Sequence, residues 1–381
     1  MLNLTSARLI AGAPDNPSMV SGRELDRFPR GNLVGIPGAP ERMVQSPTRD
    51  ADWTVCDGDR GVTVIAGPLD APAGKAEALA DGHGVLAAAD GGTWLLWDGR
   101  RSRIDLADRA VTAALGIDAA TAPRPVDTGL FNAIPEAPAL AVPVIPNAGQ
   151  PPAFSLPAPA PVGAVLTAYA ADATALYYVV LADGLQPVSP VLATLLRNTD
   201  SYGLDRPPRL SADEIARLPV STLIDTDVYP DERLTIVEST DAPVTCARWT
   251  APAAAGAPVV VLLSGSALPL ADSARAVELV SGGTAGAANR VAMAPGAGYF
   301  VAAGAGRFWV SDTGVRYGVD TTEGSIDTVD ALGLHEPPLP IPQAVLSLFA
   351  AGPTLSQVDA LLVHDGLAPD PRPGTLAKES R

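Results

Sequence analysis

Two cysteines, three histidines, one Gly-Lys pair and one acidic cluster are the residues of this chain whose types and spacing could carry chemistry. Cys56 and Cys246 are the only cysteines among 381 residues. Each taken alone reads as a small buried hydrophobe. The segment Val20–Pro29, however, returns as Leu210–Pro219 at an offset of 219 − 29 = 190, and 246 − 56 is also 190. Equivalent cysteines of two related halves can meet only near an axis that relates the halves. A Cys56–Cys246 disulfide is therefore expected, and with it an oxidising compartment outside the cytosol.

The remaining candidates argue against catalysis. A P-loop needs G-x-x-x-x-G-K-[ST], so that backbone amides and one lysine cradle phosphates. Around Gly74-Lys75, Leu69 takes the first-glycine position and Ala76 the hydroxyl position. Gly282–Gly286 lacks a dinucleotide-binding context and reads as a surface loop. His83, His335 and His364 have no metal-ligand spacing, and His83 reads as part of a turn in Asp81–Gly84. Ser264-Gly265-Ser266 lacks the nucleophile elbow. Asp225, Asp227, Asp231 and Glu232 do not complete a calcium loop and read as an exposed acidic turn. No catalytic residue, metal ligand or cofactor is expected, while Trp94, Trp97 and Trp309 read as core packing or as an exposed aromatic rim for a partner.

A net charge of −16 argues against nucleic acid, whose phosphates demand cations. With 47% hydrophobic and 18% charged residues, most of the chain should fold. No stretch reaches the roughly 18 to 20 apolar residues that span a bilayer. Met1–Ile10 lacks signal-peptide features and reads as a helix already under way, with no cap before it. This suggests a trimmed fragment whose export or anchoring signal is missing.

The elements that hold these residues also repeat. Gly84–Ala89 returns as Gly298–Ala303 (298 − 84 = 214), and Leu130–Pro135 returns as Leu348–Pro353 (348 − 130 = 218). An insertion of about two dozen residues after Cys246 accounts for the step. Thr93–Asp105 and Arg307–Val319 read as hairpins, each leading into a short helix that ends near Gly116 and Gly333 respectively. Ala175–Val188 reads as a third hairpin, followed by a helix over Val191–Arg197. The first such unit begins at its helix, so its own hairpin is missing.

Residues 46–90 and 221–304, which include Leu234–Glu238, are expected to pair into one central β domain. The fold class is α+β and β-rich, internally duplicated, with an elongated pseudo-two-fold arrangement. The boundaries are 1–45 for repeat module 1, 91–150 for module 2 with a Pro-rich connector, 151–220 for module 3 and 305–370 for module 4. The polar tail, 371–381, is expected to be disordered. Thr121–Pro161, with eleven prolines, is read as the connector.

Leu2–Ile10, Phe28–Gly31, Gly35–Pro40, Val55–Asp57, Phe131–Pro135, Cys246–Trp249, Val310–Val319 and Ala331–Leu334 resemble the EccB component of the actinobacterial type VII (ESX) secretion system. The resemblance runs from the first residues to about Ala360. It implies one transmembrane anchor and a periplasmic portion built as a central β domain with four repeat modules, of which this chain looks like the periplasmic portion alone. The implied role is a scaffold of the secretion complex. The implied partners are EccC, EccD, EccE, the mycosin protease and further copies through the repeat modules. Some family members carry an ATPase label, so a nucleotide-hydrolysing or cell-wall-binding subunit is the alternative.

Overall fold

The computed structural model describes all residues except 1, 16–17, 48–49, 70–73, 119, 252–256, 283–285, 323–325 and 366–381. The tail expected to be disordered, 371–381, lies outside the described residues. The architecture is mixed α and β, dominated by several sheets.

The central sheet has seven strands in the order Val277–Glu278, Arg290–Ala292, Thr63–Ala66, Ala51–Asp57, Val244–Ala251, Val259–Gly265, Glu77–Ala78. Strands from residues 51–78 and from residues 244–292 interleave, so neither segment closes the sheet alone. Its middle ladder is antiparallel, placing Cys56 opposite Cys246 and Trp53 opposite Trp249. Side chains alternate between faces. Trp53, Val55, Val64, Ala247 and Leu262 enter the largest core, while Cys56, Ile65, Cys246 and Leu263 form a second cluster on the opposite face.

Three smaller sheets carry the same order of elements. In the first, His83–Ala89, Gly92–Trp97 and Arg100–Ile104 form a meander. The helix Arg109–Leu115 follows, then Arg124–Pro125 parallel to the first strand. The helix Thr128–Ala133 leads into Glu136–Leu140, parallel to the third strand. A second sheet repeats this order with Tyr299–Ala303, Gly306–Val310 and Val315–Val319, then the helix Thr328–Leu332. Leu339–Pro340, the helix Gln343–Leu346 and Ala350–Ala351 complete it. The third has Val165–Tyr169, Ala175–Val180 and Leu185–Val188, the helices Pro190–Thr199 and Ala212–Ala216, and parallel bridges at Arg209 and Val220. The Arg109–Leu115 and Thr328–Leu332 helices are each capped by an aspartate, Asp108 and Asp327, and each stops at a left-handed glycine, Gly116 and Gly333.

At the remaining end, the helices Leu4–Ala11 and Gly22–Leu25 precede the short ladder Leu33–Val34 with Val363–His364, and Leu4–Ala11 packs on the helix Gln357–Ala360. The Leu4–Ala11 helix is capped, contrary to expectation. The Asn3 side chain accepts from the Ser6 amide at 2.8 Å and donates to the Ile36 carbonyl at 2.9 Å.

Strand pairing corrects several further expectations. Thr235–Ile236 pairs parallel with His83–Gly84 in a hairpin sheet, not in the central one. His83–Ala89 and Tyr299–Ala303 are likewise first strands of hairpin sheets, so boundaries at 90 and 304 cut through them. Much of the Pro-rich stretch is folded, because Arg124–Pro125, Thr128–Ala133 and Glu136–Leu140 complete a sheet. The helix after Val315–Val319, expected to run from Ser325 to Gly333, begins at Thr328, and Ser325 lies outside the described residues.

Packing joins these parts. One core runs from the central sheet into both hairpin sheets beside it; Trp53 meets Tyr299 between sheets (5.3 Å between rings), and Trp94 packs on Phe131 of the Thr128–Ala133 helix (5.0 Å). The Arg109–Leu115 helix packs on Pro190–Thr199, and Leu4–Ala11 packs on Thr328–Leu332. No helix among the described residues is long and apolar enough to cross a membrane.

Candidate functional site

The structure scatters most of the residues whose chemistry invited attention. Lys75 donates to the Asp272 carboxylate at 2.7 Å and to the Leu270 carbonyl, so its ammonium is held in a loop pair. His83 contacts the Asp81 carbonyl at 3.1 Å, closing a turn. His364 meets the Gly35 carbonyl at 2.9 Å, and His335 lies 3.5 Å from Asp330. Ser264 and Ser266 spend their hydroxyls on the Val244 and Gly74 carbonyls. Asp225 caps the short 3-10 turn Thr226–Val228, and Arg100 donates to the Asp227 carbonyl, while Asp231 and Glu232 are exposed. Part of Gly282–Gly286 lies outside the described residues. Among the described residues no three or more His, Cys, Asp or Glu side chains gather as a metal site would need.

The tryptophans correct the aromatic-rim alternative. Trp94, Trp97 and Trp309 are 7%, 5% and 1% exposed, too buried to offer a partner their rings. Trp94 donates to the Ala89 carbonyl at 3.0 Å, and Arg100 stacks on Trp97 at 4.5 Å. Hairpins put these rings on inward-facing positions, where their area stabilises packing.

What the structure does bring together are joints between sheets. The Sγ atoms of Cys56 and Cys246 are bonded, with Cα atoms 4.0 Å apart across the central ladder and no solvent exposure. This crosslink bridges 190 residues of sequence at the centre of the sheet. Beside it, Arg124 is 9% exposed and donates to the Ala242 and Val237 carbonyls, both at 2.7 Å, and to Thr245 Oγ1 at 3.0 Å. Three acceptors on the segment entering the central strand thus hold a hairpin sheet to it. Burial lowers the Arg124 pKa, although a guanidinium remains charged.

Asp57, at the end of its central strand, accepts from the Asp127 amide at 2.7 Å. Burial pushes its carboxyl above the ordinary value, with nearby Asp127 adding to the shift. Arg101 reaches the Phe131 carbonyl and Glu136 while its guanidinium lies 3.8 Å from the Phe131 ring. Gln186 both donates to and accepts from the Ile224 backbone. Tyr229 donates to the Ala141 carbonyl at 2.8 Å, and burial pushes its hydroxyl up to about 12. Sequence reasoning singled out none of these links. A lone arginine or glutamine in a loop carries no periodic signal, because its partners are backbone carbonyls that any residue supplies.

This geometry is that of a braced framework. The family described as "Type VII secretion system ESX-1, transport TM domain B" matches residues 1–369. The chain is 59% identical over 390 residues to the protein named ESX-3 secretion system ATPase EccB3 of Mycolicibacterium smegmatis, covering 97% of this chain and 75% of that protein. Mycobacterium tuberculosis EccB5, named as an ESX-5 secretion system ATPase, is 37% identical over 98% of this chain and 78% of its own length. Among solved structures, the EccB3 dimer from the ESX-3 core complex superposes with a TM-score of 0.85 at 56% identity, covering 95% of this chain and 94% of that one. The periplasmic assembly from the ESX-5 inner membrane complex gives 0.85 at 38% identity, covering 98% and 91% respectively.

Proposed function

The chain belongs to the EccB family of type VII secretion components, and from that premise we propose that it is a periplasmic scaffold of an ESX membrane complex. The observation that carries this reading is the interleaved central sheet, crosslinked at its middle and braced by packed hairpin sheets. Such a body transmits force and holds spacing; it does not gather reactive groups. The same framework supports a duplication. The topologies of the hairpin sheets agree, Cys56 faces Cys246, and Ser21–Glu24 and Ser211–Glu214 form matching capping boxes. We read these as two halves about an approximate two-fold axis.

Leu25 and Phe28 are exposed, whereas their counterparts at offset 190, Ile215 and Leu218, pack on the 165–188 sheet. Partners are proposed to be EccC, EccD, EccE, the mycosin protease and further copies of the same protein. The solved relatives support that choice by being a dimer and an inner-membrane assembly.

The relatives' names carry the word ATPase, and hydrolysis is the competing reading. The engagement of Lys75 by Asp272, and Ala76 where a P-loop places a hydroxyl, favour the scaffold. Two measurements decide between them. Purified chain should show no ATP turnover that depends on a defined residue. Cells whose copy lacks this portion should lose secretion. Turnover abolished by one substitution, or unimpaired secretion, would overturn the proposal.

A further inference from the structure

Every residue from 18 to 33 is exposed. The segment is folded all the same. Ser21 and Glu24 close a capping box, and the Phe28 amide donates to the Leu25 carbonyl at 3.1 Å. Val20, Leu25 and Phe28 are 51%, 56% and 71% exposed, whereas Leu210, Ile215 and Leu218 at offset 190 pack with the 165–188 sheet. An apolar face held on a fixed helical turn and left uncovered is what a docking surface presents. Arg23 and Arg27 lie four residues apart on that turn, with no carboxylate partner among the described residues. Arg30 pairs with Asp26, and Glu24 is spent on the cap. The free charge of this face is therefore positive, in a chain of net charge −16.

The complement lies elsewhere on the same chain. Two clefts of about 540 and 680 Å³ share Trp97, Asp98 and Asp231, and so form one trough from Ser189 to the Val259–Leu262 strand. Asp81, Asp227, Asp231 and Glu232 line it with no cation partner among the described residues, and its one arginine, Arg100, is taken by Asp98. Apolar surface is left open at the strand end, where Val259 is 56% and Val261 37% exposed. Other clefts do not offer this pairing of charge. The one around Lys75 carries three cations, and the one between Thr128 and Ser347 has no charged residue. The trough flanks the core shared by the 83–104 and 165–188 sheets, while the 18–33 segment leads into the core of the 299–319 sheet. The two faces meet only between copies.

We propose that the 18–33 segment of one copy docks in this trough of a second copy. Arg23 and Arg27 meet the free carboxylates, and Leu25 and Phe28 cover Val259 and Val261. The two faces differ, so the contact is heterologous and joins copies head to tail. It rests on the reading that further copies are partners, and its failure leaves the secretion test of the scaffold untouched.

The test is sedimentation equilibrium of the whole chain at up to about 1 mM, the effective concentration that tethering supplies. The parent should associate as concentration rises, and less so in high salt. Arg23→Glu with Arg27→Glu, and separately Asp231→Arg with Glu232→Arg, should each weaken association by roughly tenfold or more, because like charges then face each other. All four positions are exposed, so the native circular dichroism should persist. Mixing the two variants sets opposite charges against each other again, and association should return to near the parent's level. A monomeric parent, association unchanged in both variants, or a mixture no tighter than its components overturns the proposal. So does a monomeric parent that binds phosphatidylglycerol vesicles and loses them with Phe28→Ser, since the face then belongs to a lipid surface.

Discussion

Arg124 shows how one side chain can set the angle between two sheets. Its guanidinium satisfies the Ala242 and Val237 carbonyls and Thr245 Oγ1 at once, from a position 9% exposed. The matching place in the other sheet beside the core holds Leu339, which packs there as an apolar side chain. Arg124→Met should destabilise by about 2–4 kcal/mol, because three acceptors lose their donor. Denaturant titration measures the loss, and an unchanged midpoint would refute the clamp. Asp57 makes the opposite kind of contribution. Its folded pKa lies above the ordinary 3.8, so the stability linked to its protonation is present at lower pH and lost as pH rises through the raised value. Asp57→Asn keeps an acceptor for the Asp127 amide and removes the charge. Its Tm should therefore equal or exceed the parent's at pH 7, with no such advantage near pH 4. A variant less stable at pH 7 than at pH 4, relative to the parent, would show that the charge itself is needed.

Helix ends and the central ladder carry the next scale. Ser211 and Glu214 form a capping box in which Ser211 Oγ accepts from the Glu214 amide and Glu214 accepts from the Ser211 amide at 2.8 Å. Ser211→Ala should cost about 0.5–2 kcal/mol of stability, read from the unfolding midpoint. The Glu214 pKa is lowered from 4.5, first by the Ser211 amide. The linked stability is present above that value and fades as pH falls through the lowered one, so the Ser211→Ala deficit should narrow in acid. In the central ladder, Cys56 and Cys246 close a loop of 190 residues. By the chain-entropy relation the bond stabilises by about 5 kcal/mol. Denatured, unreduced protein should titrate with no free thiol. The Cys56→Ala, Cys246→Ala double variant should unfold at markedly lower denaturant. Two titratable thiols would remove the crosslink from the account. The paired cysteines and the glycine helix stops were legible because they depend on repeated spacing or on nearby residues, whereas the capping boxes were not read and the Asn3 cap was missed. Strand membership was not legible. Leu234–Glu238 has the composition of any β-strand, and only its partner, His83–Gly84, assigns it to a hairpin sheet.

At the scale of the whole molecule, interleaving has a consequence for folding. Thr63–Ala66 lies between Ala51–Asp57 and Arg290–Ala292, and Ala51–Asp57 pairs directly with Val244–Ala251. Residues 1–150 expressed alone should therefore lack a cooperative unfolding transition and regain one when the remainder is supplied. An independently folded 1–150 would contradict the interleaved core. The sequence by itself determined the β-rich class, the hairpin–helix order, the family resemblance and the special standing of Cys56 with Cys246. All of these are written as local periodicity, turn residues or the spacing of similar segments. Tertiary structure alone decided which strands share a sheet, that Trp94, Trp97 and Trp309 face inward, and that Arg124, Asp57, Gln186 and Tyr229 are joints. The reason is physical. Burial and pairing with distant backbone groups depend on partners up to hundreds of residues away, and a carbonyl acceptor leaves no mark in the identity of the residue that carries it.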